Sequence, residues 1–210
     1  MSKLKIASIF FIVLSFGIGL YFYDQLPIQV ASHWNSAGQV DGYMSRFWGT
    51  FLMPIISGIL FLLLVFIPKF DPRKINSPEF KKAYDGFILL LTIYLFYIYL
   101  ITLAWNLGYR FNFGQMLTPA MGILFFYVGR LLLKTKSNWF IGIRTPWTLS
   151  NDLVWDKTHQ LGGRLFQISG LICLLGLLWP QQAIWLILIP ILISSIFLIA
   201  YSYFEYKKLK

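Results

Sequence analysis

Residues 183–204 read Ala-Ile-Trp-Leu-Ile-Leu-Ile-Pro-Ile-Leu-Ile-Ser-Ser-Ile-Phe-Leu-Ile-Ala-Tyr-Ser-Tyr-Phe, an apolar run with no Asp, Glu, Lys or Arg. About 20 helical residues cross the roughly 30 Å of hydrocarbon in a bilayer, so this run is long enough to be a membrane span. Just before it, Pro180-Gln181-Gln182 leaves room only for a tight hairpin. A further apolar run precedes that turn, from Leu165 to Trp179, short for a span unless it begins near Gly162. Four more runs of span length come earlier: Leu4 to Tyr23, Trp48 to Ile67, Phe87 to Trp105 and Gln115 to Leu133. The expected fold is an all-α integral membrane protein with six transmembrane helices.

Composition agrees. Of 210 residues, 58% are hydrophobic and 12% charged, far from the balance of a soluble domain, and the aromatic side chains suit the zone where hydrocarbon meets headgroups. The net charge of +10 does not point to nucleic acid, because that would gather the basic residues on one soluble face. Here they lie between apolar runs, and no direct nucleic-acid contact is expected. Lys3 and Lys5 ahead of an apolar stretch look like the start of a signal peptide, but the stretch continues through Tyr23 with no small-residue cleavage site and reads as a retained first span. The one cysteine, Cys173, has no partner for an intramolecular disulfide and reads as a small core hydrophobe.

Orientation follows from the cationic residues beside the spans, which stay in the cytoplasm. Lys3, Lys5, Lys69, Arg73, Lys74, Lys81, Lys82, Arg130, Lys134, Lys136, Arg144, Lys157, Arg164, Lys207, Lys208 and Lys210 flank one side, and only Arg46 and Arg110 flank the other. Both termini are therefore expected in the cytoplasm (N-in/C-in). Arg130, within about a turn of Lys134, can snorkel to the inner interface. Pro54, Pro119 and Pro190 are tolerable in such helices, although broken helices are conceivable there. The chain divides into a two-helix N-terminal membrane unit (1–68) with an outer loop (24–47), a basic cytoplasmic linker (69–84), and a four-helix C-terminal membrane unit (85–210).

Two loops are compositionally mixed. In the outer one, Ile28, Val30 and Trp34 alternate as in an extended segment, with turn chemistry at Asn35 to Gly38 and again at Asp41-Gly42. Its candidate ligand-binding residues are His33, Trp34, Asn35, Gly38 and Asp41. One histidine with one carboxylate makes a poor metal site, and no metal or cofactor is expected. The inner loop, 138–164, carries Asn138, Trp139, Gly142, Arg144, Thr145, Pro146, Trp147, Trp155 and His159 as candidate motif residues. Trp139, Trp147 and Trp155 read as interfacial anchors. After Pro146, one of Thr148, Ser150 or Asn151 is expected to cap a short juxtamembrane helix. Its spacing puts Asp152, Asp156 and His159 on one face, more simply a solvated stripe paired with Arg144, Lys157 or Arg164 than a catalytic set. His33 and His159 fall on opposite sides of the membrane. No nucleophile triad order, phosphate-binding glycine loop, HExxH or CxxC pattern occurs, so no catalytic residue is assigned.

In these two segments the chain resembles the SdpI family of bacterial membrane proteins, immunity proteins against a secreted killing peptide. Leu26-Pro27, His33-Trp34-Asn35, Gly38 and Asp41-Gly42 look like the N-terminal domain of unknown function common in that family. Asn138-Trp139, Gly142-Ile143-Arg144-Thr145-Pro146-Trp147-Thr148, Trp155 and Thr158-His159 to Gly162-Gly163 look like its hallmark motif, within 138–164. The resemblance implies a multi-pass protein of the bacterial plasma membrane that binds or neutralises a membrane-active peptide toxin. In some members it also implies recruitment of a cytosolic repressor. The alternatives are a small peptide or lipid transporter or flippase, with Arg130 and Arg144 on headgroups, and a juxtamembrane enzyme using Asp152, Asp156 and His159.

Overall fold

The structure, a computed structural model, describes residues 1–71 and 78–209, so Arg73, Lys74 and Lys210 of the cationic set, and part of the 69–84 linker, lie outside the described residues. Among the described residues, six helices are long and apolar enough to cross a bilayer, as expected for a multi-pass membrane protein. In chain order the elements are α1 (Lys3–Phe22), β1 (Gln29–Trp34), β2 (Val40–Ser45), α2 (Arg46–Phe66), α3 (Pro78–Asn106), α4 (Phe113–Leu132), α5 (Pro146–Ser150), α6 (Asp152–Leu174) and α7 (Ala183–Lys207). Side chains mark several starts: Ser2 caps α1 by accepting from the Lys5 N–H, and Asn112 caps α4 through the Gln115 N–H. Gly108, at φ 107°, closes α3 while the Tyr109 N–H reaches back to the Ala104 carbonyl, a left-handed cap that glycine adopts without strain.

Two helices start earlier than hydropathy places them. α3 begins at Pro78, whose missing N–H costs nothing at a helix start, and its first polar turns extend beyond the apolar run. α6 begins at Asp152, so the expected juxtamembrane helix and the fifth span are one continuous helix: Asn151 caps it through the Leu153 and Val154 N–H groups, and Gly162 and Gly163, buried inside it, do not interrupt it. The three prolines interrupt nothing. Pro119 leaves the Gln115 carbonyl unpaired by the helix, and the Thr118 hydroxyl donates to it. Pro190 leaves the Leu186 carbonyl, and the Cys173 thiol lies 3.6 Å away as a weak donor. Cys173 is thus buried as expected and has a specific partner besides.

α3 buries large residues such as Tyr84, Ile88 and Tyr99, whereas α1, and α7 beside Ile187 and Leu198, put small residues on the buried face and large ones outward, as a lipid solvent favours. α1 buries Ser8, Ser15 and Gly19 and exposes Phe10, Val13 and Leu20; α7 buries Ser194 and Ser202 and exposes Ile193, Ile196 and Ile199. The closest approach is between α4 and α6. A Cβ on Gly122 would stand 2.7 Å from the Gly170 carbonyl oxygen, and one on Gly129 would stand 2.5 Å from that of Gly163. α1, α2 and α3 pack on one another, α4, α6 and α7 do likewise, and α3 meets α4.

Contacts at the helix ends define two poles. At one, Lys5 pairs with Asp85 at 2.9 Å, the Tyr84 hydroxyl donates to the Leu64 carbonyl, the Tyr127 hydroxyl donates to the Ala83 carbonyl, and Lys157 pairs with Glu205 at 2.7 Å. This basic pole carries both chain ends. The opposite pole carries the β1–β2 hairpin.

Candidate functional site

At the hairpin pole the loop expected to face outward is an antiparallel hairpin, with Val30 opposite Met44 and Trp34 opposite Val40. Asn35 closes it: its Oδ1 accepts from the Ala37 and Gln39 N–H groups, and its backbone pairs with Gln39 and Gly38. Gly38 takes φ 77° there. The expected turn at Asn35 to Gly38 is present. The one at Asp41-Gly42 is not: both residues lie within β2, beside a register shift on β1 that leaves Ser32 without an opposite residue. Glycine is needed at 42 for close approach, since a Cβ would lie 2.9 Å from the His33 Cβ. His33 Nδ1 and Asp41 Oδ1 are 2.5 Å apart on the exposed face.

The hairpin is clamped to the bundle by a residue that sequence reasoning missed. Asn106, at the end of α3, accepts the Ala31 N–H at 2.8 Å and donates to the Ala31 carbonyl at 3.0 Å, standing in for a neighbouring strand. Trp34 stacks on Phe113 with ring centroids 3.8 Å apart and planes within 6°, and meets Trp105 edge-on. Both cations of this pole are engaged internally. Arg110 lies over the Trp105 ring and donates to the Trp105 carbonyl, and Arg46 lies 3.8 Å from Asp24 and over the Tyr23 ring.

At the basic pole the motif loop is built around buried polar groups. Asn138, fully buried, donates to the Lys136 and Ile141 carbonyls and accepts from the Phe140 and Ile141 N–H groups. The Trp139 N–H donates to Asp71 at 3.3 Å, and the Arg144 guanidinium donates to the Trp139 carbonyl at 2.6 Å. Thr145 and Thr148 form a capping box at the start of α5, with Pro146 in its first turn, and the Thr145 hydroxyl meets Ser202 Oγ of α7 at 3.0 Å. Trp147 packs edge-on against Tyr203. His159 Nε2 accepts the Ile143 N–H at 2.9 Å, which leaves Nδ1 to donate to the Trp155 carbonyl in a neutral imidazole. Gly142, at φ 118°, makes room: a Cβ there would stand 2.3 Å from His159 Nε2.

Two expectations fail here. Trp155 is no interfacial anchor; it is fully buried, stacked on His159, and its indole N–H donates to the Thr135 carbonyl at 2.9 Å. Trp139, by contrast, is half exposed. The Asp152, Asp156 and His159 stripe does not form one solvated face, because His159 turns inward with 2% exposure while Asp152 stays exposed and Asp156 faces Lys136 at 3.5 Å. Lys157, expected to pair with that stripe, goes instead to the buried Glu205 of α7, which Lys208 also binds. Thr135, Asp71, Ser202 and Glu205 were missed because each acts across a long separation in sequence. The glycine pairs 122/129 and 163/170, each seven residues apart, are the signal that could have placed α4 against α6.

Residues 134–202 match the SdpI/YfhL protein family. The SdpI match takes in Thr135 and Ser202 and covers the motif loop, α5, α6 and most of α7, leaving Asp71 and Glu205 outside. Residues 10–58 match DUF1648, a domain of unknown function, which here is most of α1, the hairpin and the start of α2. Over 208 residues the chain is 26% identical to the immunity protein SdpI of Bacillus subtilis (strain 168), covering 99% of this chain and 98% of that protein. No solved structure matches significantly. The resemblance read from the two loops holds.

Proposed function

We propose that this SdpI-family protein is a membrane immunity protein: it lies N-in/C-in in the bacterial plasma membrane and protects the cell by engaging a secreted, membrane-active peptide at its hairpin pole. The observation that carries this is the end-to-end similarity to the immunity protein SdpI, which spans both matched segments. Retention of cationic flanks in the cytoplasm supports placing the basic pole inside and the hairpin outside, with His33, Trp34, Asn35, Gly38 and Asp41 on the outer surface. The protein acts as a binder rather than an enzyme in this reading, since His159 has both ring nitrogens committed to the backbone. The motif loop, whose polar groups pair with one another, adds no observation in favour of a repressor partner.

The test is expression in a peptide-sensitive bacterium, with survival scored under purified killing peptide. Survival at least tenfold above the vector control is expected. Killing equal to the control, with the protein present in the membrane, would overturn the proposal.

A further inference from the structure

A cavity of about 340 Å³ lies at the hairpin pole, walled by Trp34 and Met44 of the hairpin, Trp48 and Met53 of α2, Thr102 of α3 and Phe113 of α4. Its volume is near the lower end of small-ligand sites, roughly 300–1,000 Å³. The walls come from the first turns of α2 and α4 and the last turns of α3, so the cavity sits at interfacial depth, where an amphipathic peptide lies on a membrane. Methionine and aromatic walls adapt to apolar shapes.

We propose that this cavity receives bulky apolar side chains of a peptide lying at the membrane surface; the inference rests on the immunity reading for the source of that peptide. Two observations favour a peptide over a phospholipid. The Thr102 hydroxyl is spent on the Ile98 carbonyl, and β1 supplies two further polar side chains at the cavity: Ser32, the bulge residue with no opposite number on β2, and His33, whose side chain is 71% exposed and whose Nδ1 alone is taken by Asp41. Bulges re-aim side chains beside sites, and these groups suit the amides of a peptide. The two cations that could hold a lipid phosphate, Arg46 and Arg110, are engaged with Asp24, Tyr23 and Trp105 instead.

The experiment uses the full chain in lipid nanodiscs and the probe acetyl-photoleucine-Trp-photoleucine-amide, with adducts located by mass spectrometry. A parallel arm carries a diazirine on the acyl chain of phosphatidylcholine. Adducts from the tripeptide on Trp34, Met44 or Phe113, suppressed by excess unmodified Leu-Trp-Leu peptide, are expected. Two cavity-filling variants on different helices, Leu52→Phe and Leu117→Phe, should each cut that labelling about tenfold, so a folding defect in one leaves the other to decide. Cavity adducts from the acyl probe that the tripeptide fails to displace would identify a lipid occupant and overturn the inference. So would tripeptide adducts confined to other surfaces. The two readings fail separately: cells unprotected by a protein that still takes the label lose the immunity reading alone, and filled variants that protect fully remove the cavity alone.

Discussion

The hairpin and the motif loop, at opposite poles, are held by the same device and differ in what they leave over. In each, an asparagine side chain gathers the backbone of a tight loop: Asn35 Oδ1 takes the N–H groups two and four residues on, and Asn138 Oδ1 takes those two and three residues on. The motif loop then spends most of its polar groups on itself. Asn138, Thr145, Thr148, Trp155 and His159 are all buried and hydrogen-bonded. The hairpin pole keeps an exposed His33–Asp41 pair beside its cavity, with buried Trp34 Nε1 and Arg46 Nε atoms without partners; the motif pole has a cavity of the same volume, about 340 Å³, against Phe140 to Ile143, and one such atom, Thr158 Oγ1. The polar groups of the motif loop are therefore largely committed to architecture, and the hairpin pole is where exposed polar side chains stand beside a cavity.

The largest effect should come from Gly142→Ala. The new Cβ would collide with His159 Nε2 at 2.3 Å in a backbone at φ 118° that only glycine adopts freely. Left-handed strain of about 1–3 kcal/mol adds to loss of the buried Ile143–His159 hydrogen bond, about 1–3 kcal/mol. A drop of roughly 3–5 kcal/mol in unfolding free energy, or loss of the protein from the membrane, is expected in detergent melting and yield. A wild-type midpoint would break the comparison at once, since the motif loop would then not be a rigid unit.

What the sequence made legible divides along the same line. Six apolar runs announce six helices because a span is a local property, fixed by length and the absence of charge. The Asn35 to Gly38 turn is legible for the same reason. Trp155 is not, because tryptophans at 139, 147 and 155 look alike until the Thr135 carbonyl, 20 residues away, selects one of them for burial. His159 sits at a spacing suited to a solvated face, yet Gly142 opens a niche that draws it inward. Asp41-Gly42 reads as a turn because glycine signals either a turn or a close approach, and only the facing His33 decides which. Asn106 carries no local signal at all; its meaning lies 75 residues upstream, at Ala31.

Asn106→Ala should produce a smaller and localised effect. It strands the N–H and carbonyl of Ala31, which is 1% exposed, at about 1–3 kcal/mol. Because the clamp joins only the hairpin to α3, hydrogen exchange should accelerate over residues 29–34 while α4 and α6 keep their protection. Equal acceleration in both would mean that the two poles unfold together and are not separable units.

The smallest change in stability, and the sharpest test of the contrast, is His33→Ala. The side chains of His33 and Asp41 are 71% and 44% exposed, and a pair so wetted contributes within about 0.5 kcal/mol. Melting should hardly move. If the open pole engages the peptide, survival under the peptide should nevertheless fall severalfold, and a loss of protection without loss of fold can only arise at the surface itself. If protection is unchanged while Asn106→Ala also protects, then neither the hairpin face nor its anchoring matters to the peptide. The ligand would then have to be met elsewhere, and the unpaired groups of this pole would need a structural explanation instead.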